Sequence, residues 1–299
     1  MKKIFILIFI LIITYGYSKD FQKTEEIINS ILKEEGETAG SKDNISTENQ
    51  SQIEKSTEKE QGVEDTNNEK TGDATTEESA KKTAMSGNDE ILLKTGIQLY
   101  ESGLYEHSLQ RFNDILKNFP SSRFIDSAKM WSGKIYLRKY DYDNALKEFS
   151  SVGEKSGEYP AALFYKGESL RIKGNTVAAI ENYQKVSSSF PENELADNSI
   201  LITGKLYLNS GKGYQSLESA LKIIRYYKDS ESVDDAYYLI AKIYEKDPLL
   251  KDIELSRKFY RAFLKKAESG QKHFADSPLK DVVKKDLDHL DRTYFKMER

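Results

Sequence analysis

The sequence predicts an all-α fold, a solenoid of about five helix pairs closed by a C-terminal capping helix. Three observations carry this. A glycine or alanine recurs at positions 96, 133, 167, 204 and 241, spaced by 37, 34, 37 and 37 residues. Each copy holds two apolar stripes of helical period with a turn between them. Aromatic residues are absent between Phe21 and Tyr100 and frequent afterwards, which locates the folded part.

The chain opens MKKIFILIFILIITYGYSKD. Lys2 and Lys3, the apolar run Ile4 to Ile13 and the small residues Gly16 and Ser18 describe an export signal over residues 1–18, with Lys19 as the expected mature start. The alternative is an uncleaved inner-membrane anchor, against which the run is shorter than the roughly 20 residues a spanning helix needs. The chain has no cysteine, so it lacks disulfides, thiolate catalysis and the lipid-anchoring cysteine of exported lipoproteins. Export without disulfides suits a bacterial envelope, periplasmic first and the cell surface as the alternative.

Residues 19–33 hold a short apolar stripe of Phe21, Ile27, Ile28, Ile31 and Leu32, either a fraying stub or a docking helix. Residues 34–88 are Glu-, Lys-, Ser-, Thr- and Asn-rich, with fourteen acidic against six basic residues, a local charge of −8 within a chain of −4. Too little apolar surface is available there to offset ordering entropy, so an acidic disordered linker is expected, spanning roughly 40 Å. The remainder carries +4, or +2 without Lys2 and Lys3, which gives no electrostatic case for nucleic acid.

The repeats occupy residues 89–268. In the first three copies the glycine (Gly96, Gly133, Gly167) is followed after twelve residues by a small residue (Ser108, Ala145, Ala179). Four residues further on stands an aromatic (Phe112, Phe149, Tyr183). Glycine facing a small residue lets two helices approach closely, and the aromatic fills the space beside them. Pro120 and Pro191 end the second helices of the first and third copies. In the fourth and fifth copies the small residue is read at Ala220 and Ser256, which implies longer first helices or loops. One hairpin cannot cover its own apolar faces, whereas five stacked side by side form a superhelix with a continuous core.

These markers resemble tetratricopeptide repeats (TPR). The 37-residue spacing, the turn Asn118 to Phe124, then Ala128, Gly133 and Tyr136, is similar to the repeats of two bacterial envelope families. They are the Tol-Pal-associated cell division coordinator and the outer-membrane barrel assembly lipoprotein. The chain departs from the second in lacking a lipobox cysteine and from the first in lacking a coiled coil before the repeats. The resemblance implies that partners bind a concave groove lined by the first helix of each copy. Carried over position by position, the groove comprises Lys94, Ile97 and Glu101, then Met130, Trp131, Lys134 and Arg138. It continues through Phe164, Tyr165, Glu168 and Arg171, then Leu201, Lys205 and Asn209, and ends at Tyr238, Lys242 and Glu245. Interleaved basic and aromatic side chains suit an extended peptide with acidic and apolar residues. The alternative for Trp131, Phe164 and Tyr165 is core between neighbouring repeats. Leu93 and Ile97 stand where clamps for a terminal carboxylate need polar groups.

In the tail, Ser277 is read as an N-cap with Pro278 at the first helical position. Leu279, Val282, Val283, Leu287 and Leu290 then form the stripe of a capping helix within 269–299. No catalytic, cofactor or metal motif stands out. His107, His273 and His289 lie in polar surroundings on separate elements, and Gly211-Lys212-Gly213 lacks the other residues of a phosphate loop. Asp234-Asp235 opens a helix, where negative charge suits the dipole. The expectation is a non-catalytic scaffold or adaptor of the cell envelope, its partners proteins or extended peptides and its contact with membrane confined to the signal. The alternative is a surface-exposed or secreted protein that binds host or extracellular molecules.

Overall fold

The computed structural model describes residues 24–33 and 75–295, with side chains from residue 88 onwards in the second stretch. The expected export signal and residues 34–74 of the expected linker lie outside the described residues. The chain divides into two units, Met1–Lys70 and Thr71–Arg299. In the first unit, α1 spans 24–33, with Ile28 and Ile31 buried and Ile27 and Leu32 half-buried on its apolar stripe.

The second unit is all helix among the described residues. Five pairs follow in order: α2 (Thr75–Glu101) with α3 (Tyr105–Asn118), α4 (Ile125–Arg138) with α5 (Tyr142–Ser150), α6 (Tyr159–Ile172) with α7 (Thr176–Ser189), α8 (Ala196–Asn209) with α9 (Gly213–Tyr226), and α10 (Val233–Lys246) with α11 (Ile253–Glu268). The short α12 (Lys272–Ala275) and the longer α13 (Lys280–Tyr294) complete it. Each first helix packs on its own second helix, each second helix packs on the next first helix, and α13 packs on α11. This is the TPR-like solenoid that the spacing predicts.

Helix α2 begins at Thr75, inside the segment expected to be disordered to residue 88. Its first half, TTEESAKKTAMSGN, is rich in good helix formers. Propagating a helix outward from a packed turn is far easier than nucleating one, so this polar stretch extends what Leu93 and Gly96 anchor.

The glycine markers act as their spacing implies. A Cβ on Gly96 would stand 2.5 Å from the Phe112 ring, one on Gly133 2.5 Å from Phe149, and one on Gly167 2.9 Å from Tyr183. All three rings are buried, so the aromatic closes directly over the glycine. Ser108, buried on α3, also donates to the Gly96 carbonyl at 2.7 Å across the hairpin.

The fourth pair corrects the sequence reading. Ser216, twelve residues after Gly204, donates to the Gly204 carbonyl at 2.8 Å, matching Ser108 and Gly96. Ala220 therefore holds the aromatic's place rather than the small residue's, and neither helix nor turn is lengthened. With no ring over it, Gly204 faces Leu239 of α10 and Ser219 instead. In the fifth pair the connection does lengthen, to the six residues 247–252, which displaces the small residue to Ser256 while α10 keeps its 14 residues. Tyr260 and Ser256 are both buried beyond the insertion.

In the other four pairs the turn has three residues, and its middle residue is left-handed: Gly103, Gly174 and Gly211 at φ 75°, 81° and 68°, and Tyr140 at φ 62°. Glycine adopts this region without a Cβ clash, whereas Tyr140 does so as a residue 78% exposed.

A second device recurs before each first helix from α4 onwards. The side-chain oxygens of Ser122, Ser156, Asn193 and Ser230 accept from the backbone N–H two residues on. Ser277 does the same with Leu279, at 3.1 Å. Ser277 is therefore not the N-cap of α13, which starts at Lys280 after Leu279. The turn shows α13 to be a sixth first helix. Counting six residues on from each turn residue gives Ala128, Ala162, Ser199, Ala236 and Val283, each at most 1% exposed. Counting eleven gives Gly133, Gly167, Gly204, Ala241 and, on α13, the exposed Asp288. Val283 and Leu290 are buried, but Val282 is 40% exposed and Leu279 and Leu287 are only half-buried, so the expected five-residue stripe is narrower in fact.

Candidate partner-binding groove

The first helices α2, α4 and α6 approach one another in succession, as do α8 and α10, whereas contacts of that extent do not link successive second helices. First helices thus line the inner side of the stack. The residues carried over to this side divide into three groups.

Met130, Phe164 and Leu201 are buried and do not line the groove. Met130 packs with Ala145, Phe149 and Ala162, and Phe164 with Ala179 and Tyr183. Met130 and Phe164 stand on the flank of their helices that faces the second helix. Ile97, half-buried, is packed on the first core cluster together with Tyr100 and Trp131. Lys94 pairs with Glu90 one turn earlier at 2.8 Å and is exposed, as is Glu101.

The second group is a cluster over the first three pairs. Lys134 Nζ lies 3.8 Å from the centre of the Trp131 ring, 5.5 Å from that of Tyr100 and 5.4 Å from that of Tyr165. Three successive first helices thus each contribute a ring to one ammonium. Trp131 and Tyr100 meet edge to face at 5.1 Å, and Tyr165 stacks on Phe149 at 5.9 Å, which fixes the rings from behind. Arg138, one turn after Lys134 and exposed, donates through Nε to the Tyr100 hydroxyl at 3.3 Å. Among the described residues no carboxylate comes within 4 Å of the Lys134 ammonium or the Arg138 guanidinium. Burial among the rings holds the Lys134 ammonium below its ordinary pKa, partly opposed by the more distant Glu158. Ring faces attract a cation but do not neutralise it. The sequence assigned Trp131, Lys134, Arg138 and Tyr165 to the groove; Tyr100 completes the cage, and its place four residues after Gly96 is the signal that marks it.

In the third group each charge is already answered. Arg171 forms a two-pronged pair with Glu168, at 3.1 and 2.8 Å, and the Tyr183 hydroxyl also donates to Glu168. Burial acts to raise the Glu168 pKa, but the Arg171 and Tyr183 hydrogen bonds outweigh it and hold the carboxyl below its ordinary value. Lys205 reaches Asp235 on α10 at 2.6 Å, beside exposed Asn209. Lys242 binds Glu245 at 2.8 Å and Asp286 of α13 at 3.2 Å. Asp286 also accepts from the Tyr238 hydroxyl at 2.9 Å, and Glu245 from Tyr260 at 2.7 Å. Burial and these carboxylates raise the Tyr238 and Tyr260 hydroxyls well above their ordinary values. Arg171, Lys205 and Lys242 are therefore parts of the scaffold. An open cleft of about 560 Å³ between α8 and α10 is lined by Lys205, Tyr238 and Lys242.

Among the described residues no group of three or more His, Asp or Glu side chains is placed to hold a metal ion, and no helix is long and apolar enough to cross a membrane. His107 and His289 are exposed, and His273 is half-buried in the four-residue α12. Asp234 and Asp235 lie in the first turn of α10, as the sequence indicates.

No protein-family description matches the sequence, and no curated protein resembles it at a significant level. Solved structures do resemble the fold. The protein MamA superposes with a TM-score of 0.50 at 18% identity, over 62% of this chain and 95% of that one. The Pseudomonas aeruginosa protein pilF gives 0.48 at 15% identity, over 70% and 93%. The Thermus thermophilus TPR protein TTC0263 gives 0.41 at 16% identity, over 68% and 98%. Identities at this level speak for architecture alone. Five helix pairs, the first three closed by glycine–aromatic contacts, and a matching solved structure together give this chain the tetratricopeptide-repeat fold.

Proposed function

We propose that the protein is a non-catalytic interaction scaffold of the bacterial cell envelope that binds protein partners on the inner face of its repeats. The observation that carries this is the Lys134 cluster, where Tyr100, Trp131 and Tyr165 surround a cation that no carboxylate among the described residues answers, with Arg138 exposed beside it. Aromatic and arginine side chains at the centre of a patch are the residues that dominate binding energy at protein interfaces. The amino-terminal export signal and the absence of cysteine support an envelope location, periplasmic rather than surface-exposed.

The test is crosslinking in intact cells from a photoreactive residue at position 131, with attached proteins identified by mass. Envelope proteins that disappear from the crosslinks when Arg138 and Tyr100 are replaced by alanine are the expected result. A partner that binds with no change in Trp131 fluorescence, and with affinity unchanged by Trp131→Ala and Arg138→Ala, places the interface elsewhere. Digestion of the protein in intact cells by an external protease overturns the periplasmic assignment.

A further inference from the structure

The internal repeat supplies a comparison that a single site cannot. Lys134, Lys205 and Lys242 occupy one register position, each twelve residues after its turn residue Ser122, Asn193 or Ser230. Two of the three meet a carboxylate on the following first helix. Asp235, which answers Lys205, stands five residues after Ser230; Asp286, which answers Lys242, stands nine after Ser277. In α6, the helix that follows Lys134, those two positions five and nine after Ser156 are Ala161 and Tyr165. Where α13 offers Asp286, α6 thus offers a ring, 5.4 Å from the ammonium. The carboxylate whose field Lys134 feels, Glu158, lies beyond ion-pair distance and accepts a hydrogen bond from Ser127 at 2.8 Å.

We infer that the Lys134 site takes an aspartate or glutamate side chain from an amphipathic helix of a partner, laid over α4 and α6 on the inner face and pairing its acid with Lys134 as Asp286 pairs with Lys242. This rests on the reading of the inner face as the partner surface and specifies what the partner carries. The chain itself shows the pairing: α13 presents Asp286 to Lys242 and to the Tyr238 hydroxyl together, while Val283 and Leu290 of the same helix are buried. At the Lys134 site a carboxylate gains an ammonium held among rings, where a paired charge is worth more than in water. Arg138, one turn further along α4, offers its guanidinium to the same group. Apolar side chains three or four residues either side of the acid share its helix face and reach Tyr100, Trp131 and Tyr165.

The probe is a peptide of residues 277–295 made helical by a lactam between the Lys284 and Asp288 side chains, both exposed in α13. It is titrated into the mature full chain while the emission of Trp131, the single tryptophan, is followed. The expected result is a saturable change. Asp286→Asn in the peptide and Lys134→Met in the protein should each weaken affinity about tenfold, the scale of one charge-assisted contact. Ala161→Asp, which builds into α6 the acceptor that α10 has in Asp235, should give the same loss with all three rings intact, and Lys134→Arg should retain binding. The inference is overturned if the Asp286→Asn peptide binds as well as the parent, if Lys134→Met or Ala161→Asp leaves affinity unchanged in a protein of unaltered helicity, or if the peptide does not bind. In-cell crosslinks from position 131 that persist in the Lys134→Met and Ala161→Asp variants would leave the inner face as an interface and remove only the carboxylate.

Discussion

Lys134 and Lys242 stand at the same register on equivalent helices, yet their surroundings are opposite. Lys242 is enclosed by Glu245 and Asp286, with tyrosine hydroxyls closing the network. Lys134 is bordered by three ring faces, with no carboxylate within ion-pair reach among the described residues. The backbones that hold them are near copies, and the difference lies mainly in what the next first helix presents, Asp286 in one case and Tyr165 in the other. In a stacked array the binding character of one repeat is thus written largely in its neighbour, because each groove position is bounded by two consecutive first helices.

The comparison breaks most severely where the two halves share structure. Phe149→Ala, which empties the space over Gly133, should cost about 3–5 kcal/mol in urea unfolding, and Phe112→Ala a similar amount over Gly96. A cost below about 1 kcal/mol at either site would show that the glycine–aromatic closure is not what joins the pairs.

The sharper test separates the two lysines. Asp286→Ala leaves Lys242 with half of its acceptors and frees the Tyr238 hydroxyl, so it should destabilise by about 1–3 kcal/mol. Lys134→Met removes a cation that stabilises little and should stay within about 0.5 kcal/mol. Equal effects in thermal unfolding would erase the distinction between a structural and a binding lysine.

Smaller again is Tyr140→Gly. The tyrosine occupies a left-handed position that the other three-residue turns give to glycine, at a cost of about 1–2 kcal/mol, of which glycine's greater unfolded-state freedom offsets about half. A gain of about 0.5–1 kcal/mol is expected, and a loss would mean that the ring contact between Tyr140 and Tyr142 outweighs the backbone strain.

The smallest effect is in pH. The folded-state Glu168 pKa lies below 4.5, so its contribution is complete above that value and disappears as the pH falls through the lowered folded value. Glu168→Gln should flatten this part of the acid limb of stability, and an unchanged limb would assign the acid sensitivity elsewhere.

Much of this fold is legible in the sequence because close packing leaves a strict residue requirement. Only glycine fits beneath Phe112 and Phe149, so the glycine spacing marks these pairs along the chain. The fourth pair is harder to read because Ser216 and Ala220 are both small, and only the hydrogen bond to Gly204 shows which of them holds the hairpin. The start of α2 is invisible to composition, since a polar helix carried outward from a packed end leaves no apolar stripe. The groove is legible in part. Position along a first helix does not separate Trp131 and Lys134 from Lys205 and Lys242, because the acceptors Asp235 and Asp286 come from 30 and 44 residues further along the chain. Met130, Phe164 and Leu201 lie one helical step from the groove, a rotation that spacing alone does not resolve.

Asp288 on α13 has a consequence for how such a chain lengthens or shortens. It occupies the place that Gly133, Gly167, Gly204 and Ala241 hold in earlier helices, where the paired second helix comes closest. A carboxylate there, exposed and ion-paired with Arg292, refuses a partner helix both by size and by the cost of dehydration. At this position α13 therefore lacks the small residue that seats a paired second helix in the earlier copies. A pair added by duplication finds the glycine or alanine it needs in the register of the helices before α13.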